Sequence, residues 1–106
     1  MQTATTDEVL QLAINRIVRS FAPVKIVLFG SRARGDARED SDYDLLVVLP
    51  AVEDRFGATV ALMAELGDLP MSKDIIVATQ SEVEKGGRFG SIVRAALREG
   101  RVVYAR

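Results

Sequence analysis

Residues 24–49 read Val-Lys-Ile-Val-Leu-Phe-Gly-Ser-Arg-Ala-Arg-Gly-Asp-Ala-Arg-Glu-Asp-Ser-Asp-Tyr-Asp-Leu-Leu-Val-Val-Leu. The first apolar run, 24–29, is short and rich in β-branched residues, which predicts a buried strand. Gly30 and Ser31 end it. Asp42 and Asp44 open the second run, 45–49, which predicts a second strand over 42–49 closed by Pro50. A backbone turn that can cradle phosphates and a pair of carboxylates that can hold divalent metal thus stand at the mouths of two strands. That is the minimum equipment for moving a nucleotide from its triphosphate to an acceptor.

Strand geometry supports this reading. Side chains two apart on a strand share a face and are separated by roughly 6.6 Å of rise. Paired catalytic metals sit about 3.5–4 Å apart. Carboxylates leaning inward from Asp42 and Asp44 can bracket such a pair, with Tyr43 on the opposite face. Mg²⁺ suits the site, because it takes hard oxygen ligands and completes its shell with waters and substrate phosphates.

Outward from this segment the pattern alternates. Val9, Leu10, Ala13, Ile14, Ile17, Val18 and Phe21 recur at helical spacing and predict a helix over 6–21, with Thr5 and Glu8 as a capping box and Pro23 beyond its end. Between the strands, 30–41 reads as a turn with a short helix. A helix over 53–66 follows, with Phe56, Val60, Met63, Ala64 and Leu66 as its inward positions. A third strand covers 74–79. Ser81 and Glu84 cap a short helical turn, Gly86-Gly87 breaks it, a last helix covers 91–99 and an edge strand 101–105. Alternation of helix and strand predicts an α/β (α+β) fold with a sheet backed by helices. At 106 residues the chain is expected to be one domain, 1–106. Strand order is not legible at this level.

Composition narrows the chemistry. The chain has no Cys and no His, which removes disulfides, thiolate chemistry, imidazole acid–base catalysis and His-ligated zinc. Carboxylates, hydroxyls, Lys and Arg remain, and metal-assisted nucleotidyl transfer needs only these. The N-terminus has neither a basic nor an apolar signal region, and no apolar run approaches the ~18 residues of a membrane span, so a cytoplasmic protein without membrane association is expected. Residues 41–80 carry two basic groups against seven acidic ones, as a metal site requires. Residues 81–106 carry six basic against three acidic. That last third reads as a solvated helix face, and direct nucleic-acid binding is not indicated.

The candidate site then takes shape. Gly30 lets a phosphate approach the backbone, and Ser31 adds a hydroxyl. Arg32 and Arg34 flank the turn and can neutralise a triphosphate or leaving pyrophosphate, although both also suit a solvated loop. Asp42 and Asp44 are the metal candidates. Asp74 opens the third strand as Asp44 opens the second, so all three carboxylates meet if those strands are neighbours. Asp74 then either binds metal or serves as base for the attacking hydroxyl. Asp68 competes for that role from a less fixed, Pro-containing turn. Asp36, Glu39 and Asp40 read as loop solvation.

Gly30-Ser31, ten residues, Asp42-Tyr43-Asp44 and a later strand-borne Asp74 resemble the minimal nucleotidyltransferases of the polymerase-beta-like superfamily, over nearly the whole chain. The resemblance implies a mixed sheet backed by helices, Mg²⁺ on Asp42 and Asp44 with Asp74 completing the site, two metal ions, and ATP phosphates on the Gly-Ser turn. Many such short proteins are similar to the antitoxin half of a two-gene module whose partner is a helical HEPN-type toxin. There the enzyme transfers AMP to a toxin tyrosine. The resemblance therefore implies a protein adenylyltransferase acting as an antitoxin, in a hetero-oligomer with its partner. The alternative is a binding antitoxin that works by occlusion, which an apolar helix face in excess of core needs would favour. Transfer to a small molecule is weakened by the lack of sequence for an acceptor-binding domain.

Overall fold

The structure, a computed structural model, describes residues 6–38, 40–85 and 91–106. Thr5 of the expected capping box and the Gly86-Gly87 break lie outside them. The elements are α1 (Thr6–Phe21), β1 (Lys25–Phe29), α2 (Ser31–Arg34), β2 (Tyr43–Leu49), α3 (Arg55–Glu65), β3 (Lys73–Thr79), α4 (Gln80–Glu84), α5 (Ser91–Glu99) and β4 (Arg101–Ala105).

The strands form a mixed sheet of order β3-β2-β1-β4. β1 runs antiparallel to β2 and β4, whereas β2 and β3 are parallel and joined by α3. β2 is apolar from Leu45 to Leu49 because both its faces are covered, and each of those residues is buried. Tyr43, Leu45, Val47 and Leu49 pack with Ile26, Leu28, Ile75 and Val77 against α1 and with Leu62 and Leu66 at α3. The alternate residues Leu46 and Val48 join Val27, Ala78 and the α5 residues Val93 and Ala96 on the other face. Asp44 shares the parity of Leu46, so it belongs to the α5 side of the sheet.

Three local expectations change. The face of α3 turned to the core is Ala58, Leu62 and Leu66, and Phe56, Val60 and Met63 are exposed by 78%, 51% and 38%. Ala64 is exposed as well. Periodicity places apolar residues all round α3, so it cannot say which stripe meets the sheet. The second change concerns α4. Its capping box is Thr79 with Glu82, not Ser81 with Glu84: Glu82 N donates to Thr79 Oγ1 at 3.1 Å and Thr79 N to Glu82 Oε1 at 2.8 Å. The strand runs directly into the helix, and Arg55 fixes Glu82 through Nη1 at 3.0 Å and Nη2 at 2.7 Å, while Nη1 also reaches the Val77 carbonyl at 2.8 Å. The third is small but matters for the site: β2 begins at Tyr43, so Asp42 lies one residue ahead of it.

Candidate active site

The site is built where β1 ends and β2 and β3 begin. Antiparallel pairing sets Phe29 opposite Asp44, and parallel pairing sets Asp44 opposite Asp74. The Gly-Ser turn and two of the aspartates are therefore neighbours by register alone. The condition on which the sequence reading of Asp74 depends, adjacent strands, is met.

Gly30 has φ 76° and ψ −157°, a region that essentially only glycine occupies. A Cβ there would collide with Asp44 Oδ2 and stand 3.1 Å from its Cγ. The Asp44 carboxylate thus lies over the bare Cα of Gly30. Downstream, Gly30 O accepts from Ala33 N and Arg34 N, each at 3.1 Å, and Ser31 O accepts from Gly35 N at 3.0 Å and Asp36 N at 3.2 Å. Gly35, in the left-handed conformation, ends α2.

Asp44 is half-buried, whereas Asp42 and Asp74 are more open to solvent. Burial pushes the Asp44 carboxyl above the ordinary aspartate range, and the charges of Asp74 and Asp42 push it further, while Arg34 opposes them. The Asp44 carboxyl therefore lies in the field of both other carboxylates. Arg34, exposed and 3.4 Å through Nε from Asp36, belongs to the same field. Among the described residues no three acidic side chains close round one point as a finished ligand set. Magnesium does not need one, since it is held by one or two carboxylates plus substrate phosphates and waters. The donors here are hard oxygens, and they fit such a cation in kind.

Asp68 does not enter this group. Its carboxylate pairs with Arg16, with Nη2 to Oδ2 at 3.1 Å, and the guanidinium beside it holds its carboxyl below the usual range. Arg16 also donates to the Glu65 carbonyl at 3.2 Å, which pins the end of α3 to α1.

The chain matches the family described as nucleotidyltransferase domain over residues 12–103. It belongs to that family. A comparison with curated proteins finds no match. Among solved structures, a candidate nucleotidyltransferase from Sulfolobus solfataricus is 21% identical with a TM-score of 0.64, covering 92% of this chain and 78% of that one. A doubly substituted form of the MntA-HpeT toxin–antitoxin pair is 19% identical with a TM-score of 0.57, and a toxin–antitoxin bound to AMP-PNP is 21% identical with a TM-score of 0.54. Each covers 91% of this chain and 73% of that one. At these identities the likeness is one of fold.

Within this nucleotidyltransferase domain the two turn arginines part company. Arg34 acts on Asp44 through its charge, while Arg32 turns to the face of Tyr43. There it donates from Nε at 3.0 Å and Nη2 at 2.8 Å to the Ser41 carbonyl. Its Cζ sits 4.0 Å from the centre of the Tyr43 ring. Strand alternation places Tyr43 on the face away from the carboxylates, but it does not reveal this contact. An Arg in the turn followed by an aromatic between the two aspartates is the available signal.

Proposed function

We propose that this domain is an Mg²⁺-dependent nucleotidyltransferase that transfers AMP from ATP to a protein hydroxyl, and that it acts as the antitoxin of a helical HEPN-type partner. One observation supports the reading: the Asp44 carboxylate lies on the Cα of Gly30 and in register with Asp74, so the Gly-Ser turn and these two aspartates occupy one sheet end. The solved relatives add weight. In the MntA-HpeT form, two aspartates at the i, i+2 spacing of Asp42 and Asp44 are replaced by glutamate, and another relative holds AMP-PNP.

Gly30 and Ser31 would hold the triphosphate, and Arg34 would offset charge on the departing pyrophosphate. Asp42 and Asp44, with Asp74, would hold the metal. Bound magnesium supplies charge neutralisation between carboxylates and phosphates that otherwise repel. Asp74, exposed at the sheet end, would accept the proton of the acceptor hydroxyl as its oxygen bonds to the α-phosphorus and pyrophosphate leaves.

A stripe on α3 favours assembly with a partner. Phe56, Val60 and Met63 recur at i, i+4 and i+7 and are exposed, and no charged residue stands between Arg55 and Glu65. A helix apolar on its outer face is ordinarily covered. The same stripe would serve the occlusion reading, and turnover separates the two. A trace of enzyme with Mg²⁺ and ATP is mixed with an excess of a helical HEPN-type protein, should the neighbouring gene encode one, and intact mass is followed. A gain of one nucleotide monophosphate on many partner molecules per enzyme is expected. An unmodified partner, inactive only in a stoichiometric complex, would overturn the catalytic reading and leave the occluding one.

A further inference from the structure

We propose that Arg32 is a positioning residue that locks Asp42 in place, rather than a ligand of the nucleotide phosphates. The inference rests on the reading of Asp42 as a metal-holding group. Its starting point is an oddity of Asp42 itself. The residue lies ahead of β2, at the end of the connection 36–42, and its side chain is not buried. Neither burial nor the sheet ladder fixes it, yet a metal ligand must be held in place.

Two tethers supply the constraint. On the far side, Tyr43 N donates to the Ser72 carbonyl at 2.8 Å, which binds the chain to the segment leading into Asp74. On the near side, the Ser41 carbonyl belongs to the same peptide plane as the Asp42 amide. Arg32 grips that carbonyl with two nitrogens and sets its Cζ over the ring of Tyr43, which is itself 4% exposed. The grip fixes the peptide plane from which Asp42 departs. Ser41 is also held by its own turn, with Arg38 N donating to Ser41 Oγ at 2.8 Å and Ser41 N to the Arg38 carbonyl at 3.0 Å.

Arg32 follows Ser31 directly. A single residue therefore ties the phosphate turn to the metal loop, so that placing Ser31 also places Asp42. The chemistry demands arginine. A planar fork can donate twice and stack at once, whereas a lysine ammonium offers one compact charge without a face. Lysine would satisfy a purely electrostatic contact with phosphate, and this difference makes the assignment testable.

The test compares wild type with Arg32→Lys and Arg32→Gln by amide hydrogen exchange, with Mg²⁺ titrated separately against a fixed non-hydrolysable ATP analogue. Exchange needs no bound nucleotide, so it tests the positioning role even if the domain proves not to bind ATP. Both variants are expected to speed exchange across 40–44 while leaving 26–28 and 45–48 as in wild type. Half-saturating Mg²⁺ is expected to rise about tenfold in both, the usual effect of losing a residue that orients a metal ligand. In an Asp42→Asn background, Arg32→Lys should add no further loss. Unchanged exchange across 40–44 in both variants would overturn the proposal. So would a lysine variant that matches wild type in Mg²⁺ requirement while glutamine weakens the analogue, because charge alone would then suffice.

Discussion

Alanine at Gly30 probes the site at the point where backbone and chemistry meet. The glycine holds φ 76° and ψ −157°, and forcing a Cβ residue into that region costs about 1–3 kcal/mol. The new methyl would also collide with Asp44 Oδ2. That oxygen is the end of a short side chain that can rotate, but on the sheet's face it moves toward or away from like charges at Asp42 and Asp74. The collision therefore costs less stability than function, since it takes the carboxylate out of place. The two effects separate in a double-mutant cycle. In an Asp44→Ala background only the residue 44 Cβ remains, 3.5 Å away and in ordinary contact, so the conformational cost persists and the collision vanishes. We expect coupling of about 0.5 kcal/mol or more between the two substitutions. Gly35→Ala is the control. Gly35 also has positive φ, at 86°, but a methyl added there would meet no atom within 4 Å, so the left-handed penalty of about 1–2 kcal/mol stands alone. Urea unfolding followed by circular dichroism gives the stabilities, and thermal shift with Mg²⁺–ATP gives the site. Equal cost of Gly30→Ala in both backgrounds, with ligand binding intact, would refute the packing of Asp44 on Gly30.

Further outcomes follow from burial and charge. Leu62→Ala should cost about 2–5 kcal/mol, because Leu62 is fully buried, whereas Phe56→Ala should stay within about 0.5 kcal/mol in the isolated protein, as urea midpoints would show. Phe56→Glu with Val60→Glu should leave folding and Mg²⁺–ATP stabilisation intact but abolish co-elution with a HEPN-type partner; retained co-elution would remove α3 from the interface. The raised carboxyl of Asp44 makes a pH prediction. Its folded state holds the proton more tightly than the unfolded chain, so stability falls as pH rises from the ordinary aspartate value through the raised one. Asp44→Asn lacks this loss. It should melt above wild type at neutral pH, with the gap closing below the ordinary aspartate range; a gap that widens on acidification would reverse the assignment.

Much of this site is legible because register does the work. Short apolar runs fix β1 and β2, and once they pair, Gly30 and Asp44 are neighbours. Asp74 is legible only on the condition that β3 lies beside β2, which no local pattern decides. Long-range pairing also decides Asp68, whose partner Arg16 is remote in sequence. The face of α3 goes astray for a different reason. Phe56, Val60 and Met63 fit helical spacing as well as Ala58, Leu62 and Leu66 do, and hydrophobicity cannot tell a core from a covered interface. Arg32 is legible only in part: a guanidinium beside the Gly30-Ser31 turn suggests phosphate, and only the fold reveals the Ser41 carbonyl and the Tyr43 ring within its reach.

Calorimetry with a non-hydrolysable ATP analogue tests the central claim most directly. If Asp42, Asp44 and Asp74 hold magnesium beside the Gly30-Ser31 turn, wild type binds the analogue with Mg²⁺. Omitting Mg²⁺, or introducing Asp42→Asn or Asp44→Asn, then weakens binding by at least about tenfold with the fold intact. Binding of equal strength in all four cases would contradict the account.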